Sequence, residues 1–107
     1  MPFGSVYQRD IHFQRHGAEF GAATQAEYEA MADLFTSGPM NADSRDCTRH
    51  RLDGDEDYVR MDLRRTDFGV NCANRGFLRT FYRPDPGNIR VRGGCSGFLV
   101  YQCARVI

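Results

Sequence analysis

The 107-residue sequence predicts an α+β fold, with N-terminal helices packed on a four- to five-stranded antiparallel sheet. Three observations predict it. Helical spacing of apolar residues is confined to the N-terminal part, before Gly38 and Pro39. After residue 44 an alternating apolar–polar pattern takes over. No internal repeat, low-complexity tract or linker separates the two parts, so residues 1–107 read as a single domain. Apolar residues make up 41% and charged residues 26%, an ordinary globular balance.

The opening "MPFGSVYQRD" has neither a basic n-region nor an apolar h-region, and is not read as a signal peptide. No apolar run approaches the ~20 residues a transmembrane helix needs. A short first helix is expected from about Asp10 to Gly17, with Asp10 as its cap and Gly17 closing it at positive φ. The second helix is better marked. In "TQAEYEAMADLFTSGP", Thr24 is followed three residues later by Glu27, the signature of a capping box. Tyr28, Met31, Ala32 and Phe35 form one apolar face, and Gly38 with Pro39 ends the helix.

The strand region begins with "CTRHRLD" and "DYVRMDL", which flank the turn "GDE". Val59, Met61 and Leu63 alternate with Tyr58, Arg60 and Asp62, as in a half-buried strand. "TDFGVNCA" follows a short turn, and "NRG" turns into "FLRTFYRP", rich in aromatic residues. "PDPGN" breaks the pattern. "IRVRGGCSG" reads as a long loop or ragged edge strand, and "FLVYQCARVI" as a last, buried strand.

Net charge is zero, but its distribution is uneven. Residues 1–44 carry two arginines and six acids, net −4, whereas residues 45–107 carry twelve arginines and eight acids, net +4. The C-terminal part can therefore present a basic face that the average hides. All fourteen basic residues are arginine, whose planar fork grips phosphate in bidentate fashion. A coding bias accounts for the missing lysine more simply than function does. Cys47, Cys72, Cys95 and Cys103 match no CxxC metal pattern. Free thiols are the default reading, and Cys95 with Cys103 is the favoured bridge if one forms.

The stretch "HFQRHGAEFG" sets His12 and His16 one helical turn apart. Such a pair can hold zinc, but a site needs at least a third ligand, and no residue is suitably spaced. Two histidines on a solvated helix are the plain alternative. The acid–base reading draws on histidine's suitability for proton transfer near neutral pH. Metal-free RNA cleavage needs a base for the 2′-OH, an acid for the leaving 5′ oxygen, donors for the phosphorane and something to hold the strand. "RTFYR" offers Arg79, Thr80, Tyr82 and Arg83 on one strand. Strict alternation would put Thr80 and Tyr82 on a face with Leu78, and Arg79 and Arg83 on the other with Phe77 and Phe81. Thr80 with Tyr82 is then the preferred site pair. Arg60 is expected to face solvent or phosphate. His50, between Arg49 and Arg51, is a further RNA-contact candidate, with an ordinary surface role as its rival.

The run "HFQRHGAEFGAATQAEYEAMADLF", followed by "VRMDLRRTDFGVNCANRGFLRTFYRP", resembles the barnase–EndoU–colicin–RelE (BECR) group of nuclease toxin domains, in the same order and over roughly residues 11–84. The resemblance implies a metal-independent ribonuclease without cofactor. It also implies a monomeric C-terminal toxin tip of a secreted bacterial effector, delivered into a target-cell cytoplasm and neutralised by a cognate immunity protein. By position, His16 would be the principal catalytic histidine and His12 its support, with Arg79, Thr80 and Tyr82 on the phosphate and ribose side. Arg60, Arg83 and His50 are the expected RNA contacts. The chain departs from the group in lacking lysine and in its neutral net charge, and "CSGFLVYQCARVI" matches no part of it. Two rival readings are an ADP-ribosyltransferase-type toxin, for which no paired-glutamate signal is present, and a non-catalytic arginine-rich binding module.

Overall fold

The computed structural model describes residues 1–107. Its elements in order are α1 (Val6–His16), a 3-10 turn (Gly17–Phe20), α2 (Gln25–Ser37), β1 (Ser44–His50), β2 (Glu56–Asp62), β3 (Phe68–Cys72), β4 (Phe77–Tyr82), α3 (Pro86–Val91) and α4 (Gly94–Ala104). The strands pair in sequence order as one antiparallel meander, and α1 and α2 pack against it. The fold is thus α+β, with four strands.

Helix α2 starts as the capping box predicts. The Thr24 hydroxyl accepts from the Glu27 N–H, and Glu27 Oε2 reaches back to accept from the Ala23 N–H. Tyr28, Ala32 and Thr36 are its buried residues. It lies so close to the sheet that a Cβ on Gly69 would stand 2.6 Å from Thr36 Cγ2, so only glycine fits at that point of β3. Helix α1 starts earlier than the sequence suggested. Ser5, not Asp10, caps it by accepting from the Gln8 N–H, while Asp10 pairs with Arg9 at 3.1 Å. Gly17 has φ −57° and does not close the helix in the left-handed region; Gly21, at φ 69°, makes that turn. Gly17 is instead buried against Phe13, whose ring would lie 2.6 Å from an added Cβ.

The sheet separates two apolar clusters. On one face Phe3, Tyr28, Ala32, Leu78 and Phe81 pack under α1 and α2. The Tyr28 hydroxyl donates to the Phe81 carbonyl, and burial pushes its phenol well above the ordinary value. On the other face Val59, Met61, Phe68 and Val70 pack against Phe98 and Leu99 of α4.

Two helices, α3 and α4, fill residues 86–104, against the expected loop and strand. Asp85 caps α3 by accepting from the Gly87 N–H, with Pro86 in its first turn. Gly93 and Gly94, both at φ near 90°, make the corner into α4. Phe98, Leu99 and Gln102 are the buried residues of α4 and share one helix face, whereas Val100 is 68% exposed. A short apolar run such as "FLVY" has no periodicity that separates a strand from a buried helix. The helix also rules out the expected bridge. Cys95 and Cys103 lie eight residues apart on α4, roughly 12 Å along its axis, beyond the ~7 Å reach of a disulfide. Cys103 instead bonds to Cys47 of β1, with Cα atoms 6.1 Å apart, and Cys72 and Cys95 are free.

This bridge spans 56 residues of sequence, so it restricts the unfolded chain strongly. Replacing Cys47 and Cys103 together by alanine should lower unfolding free energy by about 4 kcal/mol. Urea denaturation of the variant, and of the parent with and without reductant, measures the loss.

Candidate functional site

Strand β4 carries one residue too many for its neighbour. Val70 pairs with Thr80 and Asn71 with Leu78, so Arg79 is the extra residue of a β-bulge. The bulge overturns the strict alternation expected for "RTFYR". Leu78 and Phe81, three residues apart, both enter the cluster under α2. Thr80, opposite Val70, and Tyr82, packed against the α4-side cluster, face the other way. Arg79 turns to that same side, where its Nε donates to Asp57 Oδ1 at 2.6 Å and its Nη2 to Asp55 Oδ2 at 2.8 Å. Arg79, Thr80 and Tyr82 therefore share one face.

That face is only partly covered. Helix α4 packs over β1 and β2 and reaches β3 through Phe98, whose ring meets Phe68 edge-on. Neither α3 nor α4 packs along β4, so Thr80 and Tyr82 lie half-buried on a shallow strip. His16, the last residue of α1, closes the strip at the β4 end. Its ring stacks on Tyr82 with centroids 5.2 Å apart. Its Nδ1 lies 2.7 Å from Glu19 Oε2. A carboxylate can only accept, so the proton of the neutral imidazole sits on Nδ1, and Nε2 keeps its lone pair. Glu19 is itself fixed, because its Oε1 accepts from the Arg83 N–H at 2.7 Å.

His12 is placed differently. It stacks on Phe3 at 5.3 Å and lies 6.2 Å from the His16 ring. Its Nδ1 is buried with no hydrogen-bond partner. Burial, then the neighbouring His16 and Arg15, lower its pKa. His12 thus sits neutral behind His16. Burial also raises the Tyr82 phenol, against the pull of Arg105 and Arg49, so Tyr82 keeps its O–H as a donor.

Of the remaining predicted residues, none joins this strip. Arg60 is 6% exposed and turned inward, correcting its expected outward role: Nη1 donates to the Phe35 and Gly38 carbonyls, and Nε and Nη2 to the Tyr58 hydroxyl. Arg83 lies on the α2 side of β4, donating to Asp67 and to the Glu19 carbonyl. His50 is exposed at the end of β1, three strands away from β4. The four residues that the sequence reading passed over are Glu19, Asp57, Arg49 and Arg105. Glu19 had a legible signal, three residues after His16 in a helical stretch. Asp57 had none. It is completely buried, and Arg49, Arg51 and Arg79 converge on its oxygens at 3.0, 3.1 and 2.6 Å.

No three His, Cys, Asp or Glu side chains come together in a metal-binding group. No helix is long and apolar enough to cross a membrane. No family model matches the chain, and no curated protein matches it.

Two outcomes follow from these environments. Asp57→Ala strands buried guanidinium groups and should cost about 3–5 kcal/mol of stability, read by chemical denaturation. For His12 the folded pKa lies below the ordinary 6.5 of the unfolded chain. As pH falls through 6.5, the unfolded chain takes up a proton that the folded one resists. Stability should therefore decline below that pH and level off once the folded His12 also protonates. In His12→Gln this segment of the stability–pH curve should flatten.

Proposed function

We propose that the protein is a metal-independent ribonuclease acting at the His16–Tyr82 strip. One observation carries this reading: an imidazole oriented by a carboxylate, with Nε2 left free, stands against a tyrosine on the half-buried face of the edge strand β4. Thr80 lies on the same face, and Arg79 borders it with Nη1 free of any protein acceptor. Those are the parts that an in-line displacement at phosphorus needs.

In the proposed reaction His16 Nε2 takes the proton of a ribose 2′-OH. The 2′ oxygen attacks the adjacent phosphorus, the bond from phosphorus to the 5′ oxygen breaks, and a 2′,3′-cyclic phosphate forms. The 5′ oxygen, on the opposite side of phosphorus from His16, leaves as a hydroxyl after taking up a proton from water, and the imidazolium of His16 returns its proton to solvent. Thr80 and Tyr82 donate to the non-bridging phosphate oxygens, and Arg79 offsets the charge that grows there. His12 supports His16 from behind. Glu19 fixes the tautomer and the ring plane, as the orienting partner of a catalytic histidine does elsewhere.

The resemblance to BECR toxin domains supports the wider reading. In it the substrate is a cellular RNA, such as tRNA, met in a target-cell cytoplasm after delivery by a secreted effector, and a cognate immunity protein holds the activity in check. With a neutral net charge, RNA affinity in this reading rests on local arginines rather than on a general polyanion attraction.

Incubation with total RNA in the presence of EDTA, resolved on a gel, tests the activity. Shortened RNA ending in cyclic phosphate is expected. His16→Ala should lower the rate by about 10²–10⁴-fold with an unchanged circular dichroism spectrum. Full cleavage by folded His16→Ala would remove His16 from its role. Consumption of NAD without RNA shortening would point to the transferase class instead.

A further inference from the structure

A cavity lies away from the strip, on the opposite face of the sheet. It has a volume of about 350 Å³ and opens between α2 and the β2–β3 turn. One wall is apolar and largely aromatic: Phe20, Phe35 and Phe81, with Met31 and Leu34 at the mouth. The other is polar, and at its rim stand the guanidinium groups of Arg65 and Arg83.

These two arginines are not equally engaged. Arg83 donates through Nε to Asp67 and through Nη1 to the Glu19 carbonyl, which leaves Nη2 unpaired. Arg65 makes no side-chain hydrogen bond. Its one ion pair, to Asp67, is long at 3.6 Å, and its side chain is 65% exposed. The guanidinium of Arg60 is committed to the protein, and Asp62 accepts from the Arg64 and Arg65 N–H groups and from Asn41. The cavity thus offers flat apolar surface inside and free cationic donors at its edge. Its volume falls in the range of small-molecule sites, in which a few placed polar groups orient an otherwise apolar body.

We propose that this cavity is a binding site for a nucleotide, with the base against Phe35 and the phosphate on Arg65 and the free edge of Arg83, whose guanidinium lies over the Phe20 ring 4.8 Å from its centroid. Base stacking on aromatic rings and bidentate arginine–phosphate contacts are the two interactions that such a ligand makes. The ligand is either one residue of an RNA strand or a free mononucleotide. The strand source rests on the ribonuclease reading and has a structural basis in β4. Successive residues at its C-terminal end face opposite ways, Tyr82 to the strip and Phe81 and Arg83 to the cavity. A strand leaving His16 around that end therefore meets the cavity next. The two sites are also linked through Glu19, which holds the His16 ring with one oxygen and the Arg83 N–H with the other.

A ¹H–¹⁵N NMR titration tests the proposal without depending on cleavage. The probes are AMP, GMP, CMP and UMP, the matching nucleosides, inorganic phosphate, and short DNA oligonucleotides, which lack the 2′-OH and cannot be cut by the proposed route. Saturable shifts at Leu34, Phe35, Arg65 and Arg83 with at least one nucleotide are expected, and weaker ones with nucleoside or phosphate alone. Arg65→Ala, an exposed change, should weaken binding roughly tenfold, the loss typical of one charge-assisted hydrogen bond. Leu34→Glu at the mouth should weaken it as well. Shifts with oligonucleotide and mononucleotide support the strand source, and shifts with mononucleotide alone support a free ligand. No shift at the cavity with any nucleotide at millimolar concentration, or shifts confined to His16 and Tyr82, overturns the proposal. His16→Ala should leave the cavity shifts intact, so failure of the ribonuclease reading and failure of this site give different results.

Discussion

The carboxylate of Asp57 has no contact with solvent, and three guanidinium groups meet on it. Burying such a charge costs several kcal/mol unless its partners are well placed. The three partners come from different parts of the chain: Arg49 from β1, Arg51 from the turn after it and Arg79 from β4. Arg49 also donates to the Gln102 carbonyl of α4. One carboxylate on β2 therefore ties together the two outer strands and the C-terminal helix. The Cys47–Cys103 bond holds the same helix to the same strand a short distance away. Arg79 meets Asp57 because the bulge in β4 brings it to that side. The arrangement of the β4 face, with Thr80 and Tyr82 beside Arg79, thus depends on the same ion cluster that holds the sheet together.

This cluster changes the meaning of the charge split between the two parts of the chain. Much of the C-terminal excess of arginine does not form an outward basic face. Arg49, Arg51, Arg75 and Arg79 are paired with Asp55 and Asp57, Arg65 and Arg83 with Asp67, and Arg60 turns to backbone carbonyls. Arginine suits this work because its fork satisfies several acceptors at once, which an ammonium does not do in a plane. A preference for arginine can therefore reflect packing of charge within the fold as much as recognition of phosphate.

The parts legible in the sequence were those governed by local rules. Thr24 and Glu27 marked the start of α2, Gly38 its end, and the alternation around Val59 and Met61 a strand, although β2 is buried on both faces from Val59 to Asp62 rather than on one. Two kinds of feature were not legible. The C-terminal helix was hidden because "FLVY" is apolar on consecutive positions, and what makes it a helix is the surface of β1 and β2 waiting to be covered. The bulge at Arg79 was hidden because the partner it brings Arg79 to, Asp57, lies 22 residues earlier and on another strand. The histidines were legible as a pair, but not as unequal partners. Their difference comes from Phe3 stacking on one and Glu19 bonding the other.

That inequality has a physical logic. The two rings sit on successive turns of α1, so whichever is charged raises the cost of charging the other. His12 stacks on Phe3 and its buried Nδ1 has no hydrogen-bond partner, and burial lowers its pKa. His16 has a carboxylate at one nitrogen and no protein hydrogen-bond partner at the other. The two histidines are thus unequal by environment: one ring is packed against Phe3 with its Nδ1 unpartnered, and the other is oriented by the Glu19 carboxylate.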